Sequence, residues 1–75
     1  MIGGRIIRRA TMGRMRITLH EFTFTDRGTE YAYQIRGGKI SAGSFWTSSY
    51  TPEQLWQRAI NCARSHAPRA ILREA

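Results

Sequence analysis

Three side chains of this 75-residue chain have the chemistry of a nucleophile, a base or a metal ligand: Cys62, His66 and His20. Cys62 and His66 are four residues apart, so a helix would place both on one face, as in a Cys–His nucleophile pair or two ligands of a metal. A working nucleophile also needs an orienting group and an oxyanion donor, and a structural zinc site needs four ligands. The sequence has no signature of either, so we predict no enzymatic activity, catalytic residue, metal or cofactor.

Arginine is the other residue type with evident chemistry, because the chain carries twelve Lys plus Arg against five Asp plus Glu, a net charge of +7. Such a balance is typical of nucleic-acid-binding proteins. Five of the cations precede residue 17, where there is no acid, so the rest of the chain is nearly balanced. The candidate nucleic-acid contacts are a basic N-terminal arm and the cations Arg16, Arg27, Arg36 and Lys39.

Residues 1–14 are predicted to be a basic, disordered N-terminal extension, because they show no turn signal that leads into an amphipathic element. Met1, Met12 and Met15 are all candidate start sites. Residues 15–75 are predicted to form one small α+β domain, since a chain of this length holds a single core. The lone cysteine and the lack of a signal-like apolar stretch favour a reducing cytoplasm, and no apolar run is long enough to make a membrane an expected partner.

Along the first predicted strand, the apolar residues change from odd-numbered to even-numbered positions. Residues 15–19 alternate apolar and polar side chains, and the apolar positions then move out of step to Phe22 and Phe24. Such a jump indicates a β-bulge at residues 20–21. A turn at residues 26–28 ends the strand, because glycine accepts the positive φ of a tight hairpin.

The second predicted hairpin turns at Gly37–Gly38, a pair suited to a two-residue loop. This turn sets Arg36 opposite Lys39 and thereby fixes which side chains share a face. In that register Trp46 lies on the core face, so we predict that it packs between the sheet and the helix.

The helix that follows has a well-defined start. Thr51 is suited to the N-cap, Pro52 to the first helical position and Gln54 to a capping box. Apolar residues recur at helical spacing over residues 55–63, and Pro68 ends the helix.

The predicted fold class is α+β: a three-stranded antiparallel sheet packed against one C-terminal helix, in the order β-β-β-α. The tail, residues 69–75, forms either a short fourth edge strand or a strap across the core. So small a core is marginal, and self-association or a bound partner would add burial.

The positions of Phe22, Phe24 and Phe45 depend on the first hairpin. A three-residue loop puts all three on the outer face of the sheet, whereas a two-residue loop turns Phe24 inward. An outer cluster would be an interface for a protein, a second copy of the chain or nucleobases. Otherwise at least two of the three belong to the core.

The predicted layout resembles the small sheet-plus-helix DNA-binding domains of integrases and the later part of a double-stranded-RNA-binding domain. It departs from the RNA-binding family at residues 51–54, which replace a lysine-rich helix start, and from the DNA-binding domains in lacking an evident basic sheet face. Residues 15–75 also resemble, in layout, the small phage or mobile-element proteins that block host machines, of which anti-CRISPR proteins are one group.

That resemblance implies a non-enzymatic binding protein that docks on a host nucleic-acid-handling complex and inhibits it by steric occlusion. The partner is then a protein or nucleoprotein complex, bound through Phe22, Phe24 and Phe45 or through Arg58 and Arg64 on the helix. The alternative is direct DNA or RNA binding through the basic arm and the hairpin tip. A homodimer is compatible with either.

Overall fold

The computed structural model describes residues 4–74, which form a five-stranded antiparallel sheet with one helix packed against it. The α+β class and the single helix are confirmed, but the sheet has five strands rather than three. Their order across the sheet is β4-β3-β2-β1-β5. The elements are β1 (Arg5–Met12), β2 (Met15–Phe24), β3 (Gly28–Gly37), β4 (Ile40–Gly43), α1 (Pro52–His66) and β5 (Leu72–Glu74).

Strand β1 occupies most of the segment for which disorder was predicted. It lies between β2 and β5, and its Met12 side chain is 0% exposed. Gly13, at φ 60°, makes the tight turn into β2. The alternation in β1 is masked in the sequence because a bulge at Ile7 interrupts the pairing with β2. The structure therefore corrects the predicted extension over residues 5–12, while residues 1–3 lie outside the described residues.

Strand β2 runs without a break through the predicted bulge. Its residues 16–24 pair continuously with residues 28–36 of β3. The apolar phase changes because the strand buries Ile17 and Leu19 on the helix side and turns Phe22 to the other side. The predicted bulge at residues 20–21 is wrong, and the cause of the phase jump is a change of apolar face.

The β3–β4 hairpin keeps its predicted faces with a register shifted by two residues, and the β2–β3 hairpin has the faces of the three-residue alternative with a shift of the same size. Phe24 pairs with Gly28, and Arg36 pairs with Ser41 instead of Lys39. Because side chains alternate with a period of two, an even shift leaves each of them on its original face.

Trp46 is the exception, and its predicted place in the core is wrong. Ser44 hydrogen-bonds to Tyr33, but the next bridge joins Thr47 to Tyr31, so the later segment gains one residue over β3. The extra residue turns the Trp46 ring to the side of the sheet away from the helix, where it packs against the two phenylalanines of β2.

Helix α1 begins as predicted. The Gln54 backbone N–H donates to Thr51 Oγ1 at 3.1 Å, and the Thr51 N–H donates to Gln54 Oε1 at 2.9 Å, which completes the capping box. The helix ends at His66, and β5 then pairs with β1, so the tail is an edge strand rather than a strap. Its side chains buried against the sheet are Leu55, Trp56, Ala59 and Ala63.

Arg8 connects β1, β5 and α1 on the helix side of the sheet. Its Nε donates to Glu74 at 2.8 Å, its Nη1 donates to Glu53 at 2.7 Å, and the guanidinium lies 4.8 Å from the centre of the Trp56 ring. The hydrogen bond to Glu74, partly opposed by burial and reinforced by Glu53, raises the pKa of Arg8. Over residues 4–74, no helix is long and apolar enough to cross a membrane.

Candidate functional site

The outer face of the sheet, the face away from α1, carries arginines in rows. Direct pairing between antiparallel strands aligns side chains across the sheet at spacings of about 5 Å. One such row contains one residue from each of the five strands. Three of these residues are arginines, one is a threonine and one is a serine. In order from β5 to β4 it contains Arg73, Thr11, Arg16, Arg36 and Ser41.

A second row and a turn add two more arginines to this end of the face. Arg9 of β1 lies beside Thr18, and Arg14 of the β1–β2 turn lines the same depression as Arg16 and Arg36. Gly37, at φ 127°, brings the β3–β4 hairpin against the Arg14 carbonyl so closely that a Cβ atom would not fit. The arginine patch is defined as Arg9, Arg14, Arg16, Arg36 and Arg73, all of them exposed.

The carboxylates of the chain lie near other arginines. All five Asp and Glu residues form ion pairs with three arginines outside the patch, and no ion pair within residues 4–74 involves a member of the patch. The patch therefore carries five positive charges without counter-charges. The ion pairs are Arg5–Glu21 at 2.8 Å, Arg8–Glu53 at 2.7 Å, Arg8–Glu74 at 2.8 Å, Arg27–Asp26 at 3.7 Å and Arg27–Glu30 at 3.8 Å.

Arg16 and Arg36 stand directly opposite each other on β2 and β3. Like charges at directly opposed positions destabilise a sheet, because their Cβ atoms are only about 5 Å apart. The Gln34 amide oxygen, when turned toward Arg36, accepts from its Nη2 at 3.0 Å, which orients the guanidinium without neutralising it. This pairing costs the fold stability, and a bound anion would remove that cost.

Two shallow depressions lie within the patch. The larger, of about 390 Å³, is lined by Arg14, Arg16 and Arg36 together with neutral polar side chains. The smaller, of about 290 Å³, is lined by Arg9, Arg16 and Arg73 and also by Glu74, whose carboxylate is paired with Arg8. Arg16 belongs to both, so the two depressions form one continuous basic surface.

His20 lines the larger depression on the side toward the middle of the sheet. It is buried, and its Nε2 lies 2.9 Å from Thr18 Oγ1. Burial lowers the pKa of His20, since desolvation disfavours the charged imidazolium. Arg14, Arg16 and Arg36 line the same depression, and His20 itself is neutral at pH 7.

The lowered pKa of His20 makes the fold sensitive to mild acid. As the pH falls below the unfolded value of about 6.5, the unfolded chain binds a proton before the folded chain does, so stability is lost in that range. We expect the melting temperature to fall between pH 7.5 and 5.5, and His20→Gln to show a flatter profile. His66→Gln, which replaces the exposed histidine at the end of the helix, is the matched control. Equal slopes for the parent and His20→Gln would contradict this.

The opposite end of the outer face is aromatic. The aromatic cluster is defined as Phe22, Phe24 and Trp46: the two phenylalanine rings meet edge to face at 4.7 Å, and Trp46 lies 6.0 and 5.9 Å from them. The loop is residues 25–27 rather than the predicted 26–28, but it also has three residues, so Phe22 and Phe24 lie on the outer face as that alternative predicted. The third ring of the cluster is Trp46 and not the predicted Phe45. Phe45, next in the chain to Trp46, is 93% exposed.

Glu30 is a buried carboxylate at the aromatic end. It pairs with Phe22 across the strands and is 7% exposed. One oxygen lies 3.8 Å from Arg27 Nε, whereas Oε1 has no hydrogen-bond partner in the part of the chain that the structure describes. An unpaired buried acceptor is costly, so this atom is available for a donor that the folded chain does not provide.

Of the other cations predicted to touch nucleic acid, Arg27 lies away from the patch, whereas Lys39 lines a depression together with Arg14 at its edge. Arg27 rests over the Phe24 ring at 4.0 Å and belongs to the aromatic end. Lys39 lies in the β3–β4 turn, outside the rows. The structure thus brings together only Arg16 and Arg36 of the four predicted contacts.

The candidate residues on the helix have contacts within the chain. Arg58 lies 4.8 Å from the centre of the Tyr50 ring, and Arg64 donates to the backbone carbonyl of Ala70 beyond the helix end. Cys62 is half-buried and His66 exposed, and no group of three or more potential metal ligands was found among the described residues.

Sequence reasoning placed Arg9 in a flexible arm and missed Arg73, and therefore missed the basic sheet face itself. Arg9 lies in β1, a strand that was not predicted, and Arg73 lies in β5, which was one of two predicted alternatives for the tail. The signal was present around Gly13: Ala10, Met12 and Met15 alternate with polar side chains on both sides of a glycine, which is typical of a hairpin.

Comparison with known proteins adds no relative, since no family model, no curated protein and no solved structure matches this chain. The resemblance to anti-CRISPR-type inhibitors therefore stays a prediction.

Proposed function

We propose that this protein is a non-enzymatic nucleic-acid-binding module that contacts phosphates through the arginine patch. The observation that carries the proposal is the set of five guanidinium groups on one sheet face without carboxylate partners, including the opposed pair Arg16 and Arg36. Guanidinium groups bind phosphate through paired N–H donors, and neutralising them would relieve the repulsion across the strands.

The extent of the patch favours a polyanion over a single small anion. The row from Arg73 to Ser41 crosses five strands, which at strand spacing is about 19 Å. One phosphate engages two or three guanidinium groups, whereas a nucleic-acid backbone presents charges repeatedly over this length. Thr11 and Thr18 between the arginines supply the neutral hydroxyl contacts that are common at phosphates and sugars.

This proposal takes up the DNA- or RNA-binding alternative from the sequence with a different surface. Arg16 and Arg36 keep their assigned role, while β1 contributes Arg9 from within the sheet and not from a flexible arm.

Steric occlusion of a nucleic-acid-handling complex stays a prediction. Its candidate contacts at Phe22, Phe24 and Phe45 lie at the aromatic end, so it predicts binding that is insensitive to the patch. Variants of the two ends therefore distinguish the two functions.

The test is binding to mixed-sequence DNA and RNA at several salt concentrations, with single substitutions of equal charge. We expect log Kd to rise with log salt, and Arg16→Gln to reduce that slope by about 0.9 on duplex DNA or 0.7 on single strands, the value of one phosphate contact. Arg58→Gln removes the same charge from the helix and should leave the slope unchanged. Absence of binding at low salt, or equal effects of the two variants, would overturn the proposal.

A further inference from the structure

The arginine patch and the aromatic cluster share two strands of the outer face. Arg16 and Phe22 are six residues apart on β2, which corresponds to about 20 Å along the strand. Their partners on β3 are Arg36 and Glu30. A ligand that follows β2 and β3 from the patch therefore reaches the aromatic end within a few nucleotides.

We propose that the aromatic end stacks an unpaired nucleobase, so that the preferred partner is a single-stranded nucleic acid. The inference rests on the proposed function, since the patch has to hold the backbone while a base reaches the rings. Single-strand-binding surfaces commonly combine a basic track with aromatic side chains, because every base has a π face whatever its identity.

The rings at this end are accessible for stacking. Phe45 lies outside the aromatic cluster, but it adjoins Trp46 in the chain and is 93% exposed, so the proposal adds its ring to the stacking surface. The members of the aromatic cluster are half-buried. The Arg27 guanidinium rests over the Phe24 ring at 4.0 Å, so this ring already accepts a flat cationic group on its face. A base that stacks on the Phe24 ring would displace Arg27 and free its guanidinium for a phosphate.

Glu30 is an independent observation that favours an unpaired base. Its Oε1 is a buried acceptor without a donor in residues 4–74. An unpaired base carries N–H donors on its Watson–Crick edge, which a duplex uses internally, and proteins that bind single strands recognise that edge by hydrogen bonds. Arg27, which lies 3.8 Å from the other Glu30 oxygen, would move aside to admit such a donor to the carboxylate.

A nucleobase fits this end better than a second copy of the chain or another protein because of what surrounds it. The aromatic cluster and the unpaired cations of the patch lie on the same face of β2 and β3, and the Arg27 guanidinium lies over Phe24 between the carboxylates of Asp26 and Glu30. A partner that combines many negative charges with exposed aromatic rings matches both ends, and single-stranded nucleic acid has that chemistry.

Trp46 fluorescence in the full chain tests the inference. Trp46 is the half-buried tryptophan of the aromatic cluster, while Trp56 is 2% exposed in the core and reports only on the fold. The probes are a mixed-sequence single-stranded ten-nucleotide DNA, a duplex of the same sequence and a ten-unit abasic strand. We expect the single strand to bind at least tenfold more tightly than the abasic strand and to quench the emission, and Trp46→Phe to abolish the quenching.

Phe45→Ala supplies a variant that does not threaten the fold, because the ring is almost fully exposed. We expect it to weaken single-strand binding by about fivefold or more, the effect of removing one stacking ring, without changing abasic-strand binding. Ile71→Ala, at an exposed apolar side chain of the C-terminal segment, is the control.

The outcomes separate this inference from the proposed function. Salt-dependent binding of all three probes with equal affinity and no quenching would overturn the inference and leave the proposed function intact. Binding of none of the probes would overturn both. A Trp46 emission that changes with protein concentration alone, or single-strand binding unaffected by Phe45→Ala, would assign the aromatic end to a second copy or a protein partner and overturn the inference.

Discussion

Deletion of residues 1–14 is expected to leave a chain that does not fold cooperatively. The deletion removes β1, the strand that lies between β2 and β5, and with it the buried Met12 side chain and the Arg8 contacts to the helix. Truncating one buried methionine typically costs about 2–5 kcal/mol, and a domain of this size is stable by only about 4–11 kcal/mol. The loss of a whole central strand exceeds that margin.

Circular dichroism and a thermal melt of residues 15–75 would test this expectation. A matched pair of substitutions within β1 serves as the control: Met12→Asp buries a charge and should abolish the cooperative transition, whereas Thr11→Asp places the same charge on the exposed outer face and should keep it. A cooperative melt of residues 15–75 near that of the parent chain would contradict the place of β1 in the core.

The helix was predictable because its signals are local. Thr51, Pro52 and Gln54 satisfy the first helical N–H groups with side chains only three residues apart, so no distant part of the chain has to be known. The face on which each strand residue lies was predictable for a related reason, because a register error of two residues leaves every side chain on the same face. Arg36 is an example, since its partner is Ser41 and not the predicted Lys39.

Features that depend on pairing between distant segments were not predictable. The bulge at Ile7 masks the alternation of β1, and the extra residue before Thr47 turns Trp46 to the outer face. Neither irregularity has a distinctive residue type, since each is set by how two strands fit together. The sequence therefore suggested a shorter sheet and a larger aromatic core than the chain has.

The candidate site was likewise predictable only where it depends on local sequence and not on the pairing of distant strands. Arg16 and Arg36 were candidates because they flank predicted turns and strands, but their direct opposition follows only from the true register. Arg9 and Arg73 enter the surface through β1 and β5, and the rows exist only once five strands are aligned. A net charge of +7 indicated a polyanion partner without indicating which face would meet it.

Arginines on the two faces of the sheet thus differ in their effect on the stability of the fold. On the helix side, Arg8 lies between Glu53 and Glu74 and contributes to stability. On the outer face, Arg16 and Arg36 oppose each other and reduce it. Surfaces that bind ligands commonly retain such unfavourable local arrangements because the ligand completes them.

Arg36→Glu is expected to stabilise the fold and to weaken nucleic-acid binding. The substitution converts a repulsive cross-strand pair with Arg16 into an attractive one, a gain of about 0.5–1 kcal/mol and a rise of a few degrees in melting temperature. It also replaces a phosphate contact by a repelling charge in the middle of the patch, so affinity at low salt should fall at least tenfold.

Thermal melts and DNA titrations of Arg36→Glu and Arg58→Glu would separate this effect from a change in net charge. Arg58 lies over Tyr50 on the helix, so its reversal changes the net charge equally but should neither raise the melting temperature nor cost more than a few-fold in affinity. If Arg36→Glu gained stability and kept its affinity, the opposed arginines would be a local strain without a ligand, and the proposed function would fail. A gain in stability together with a loss of binding is the result that only a functional role for the pair explains.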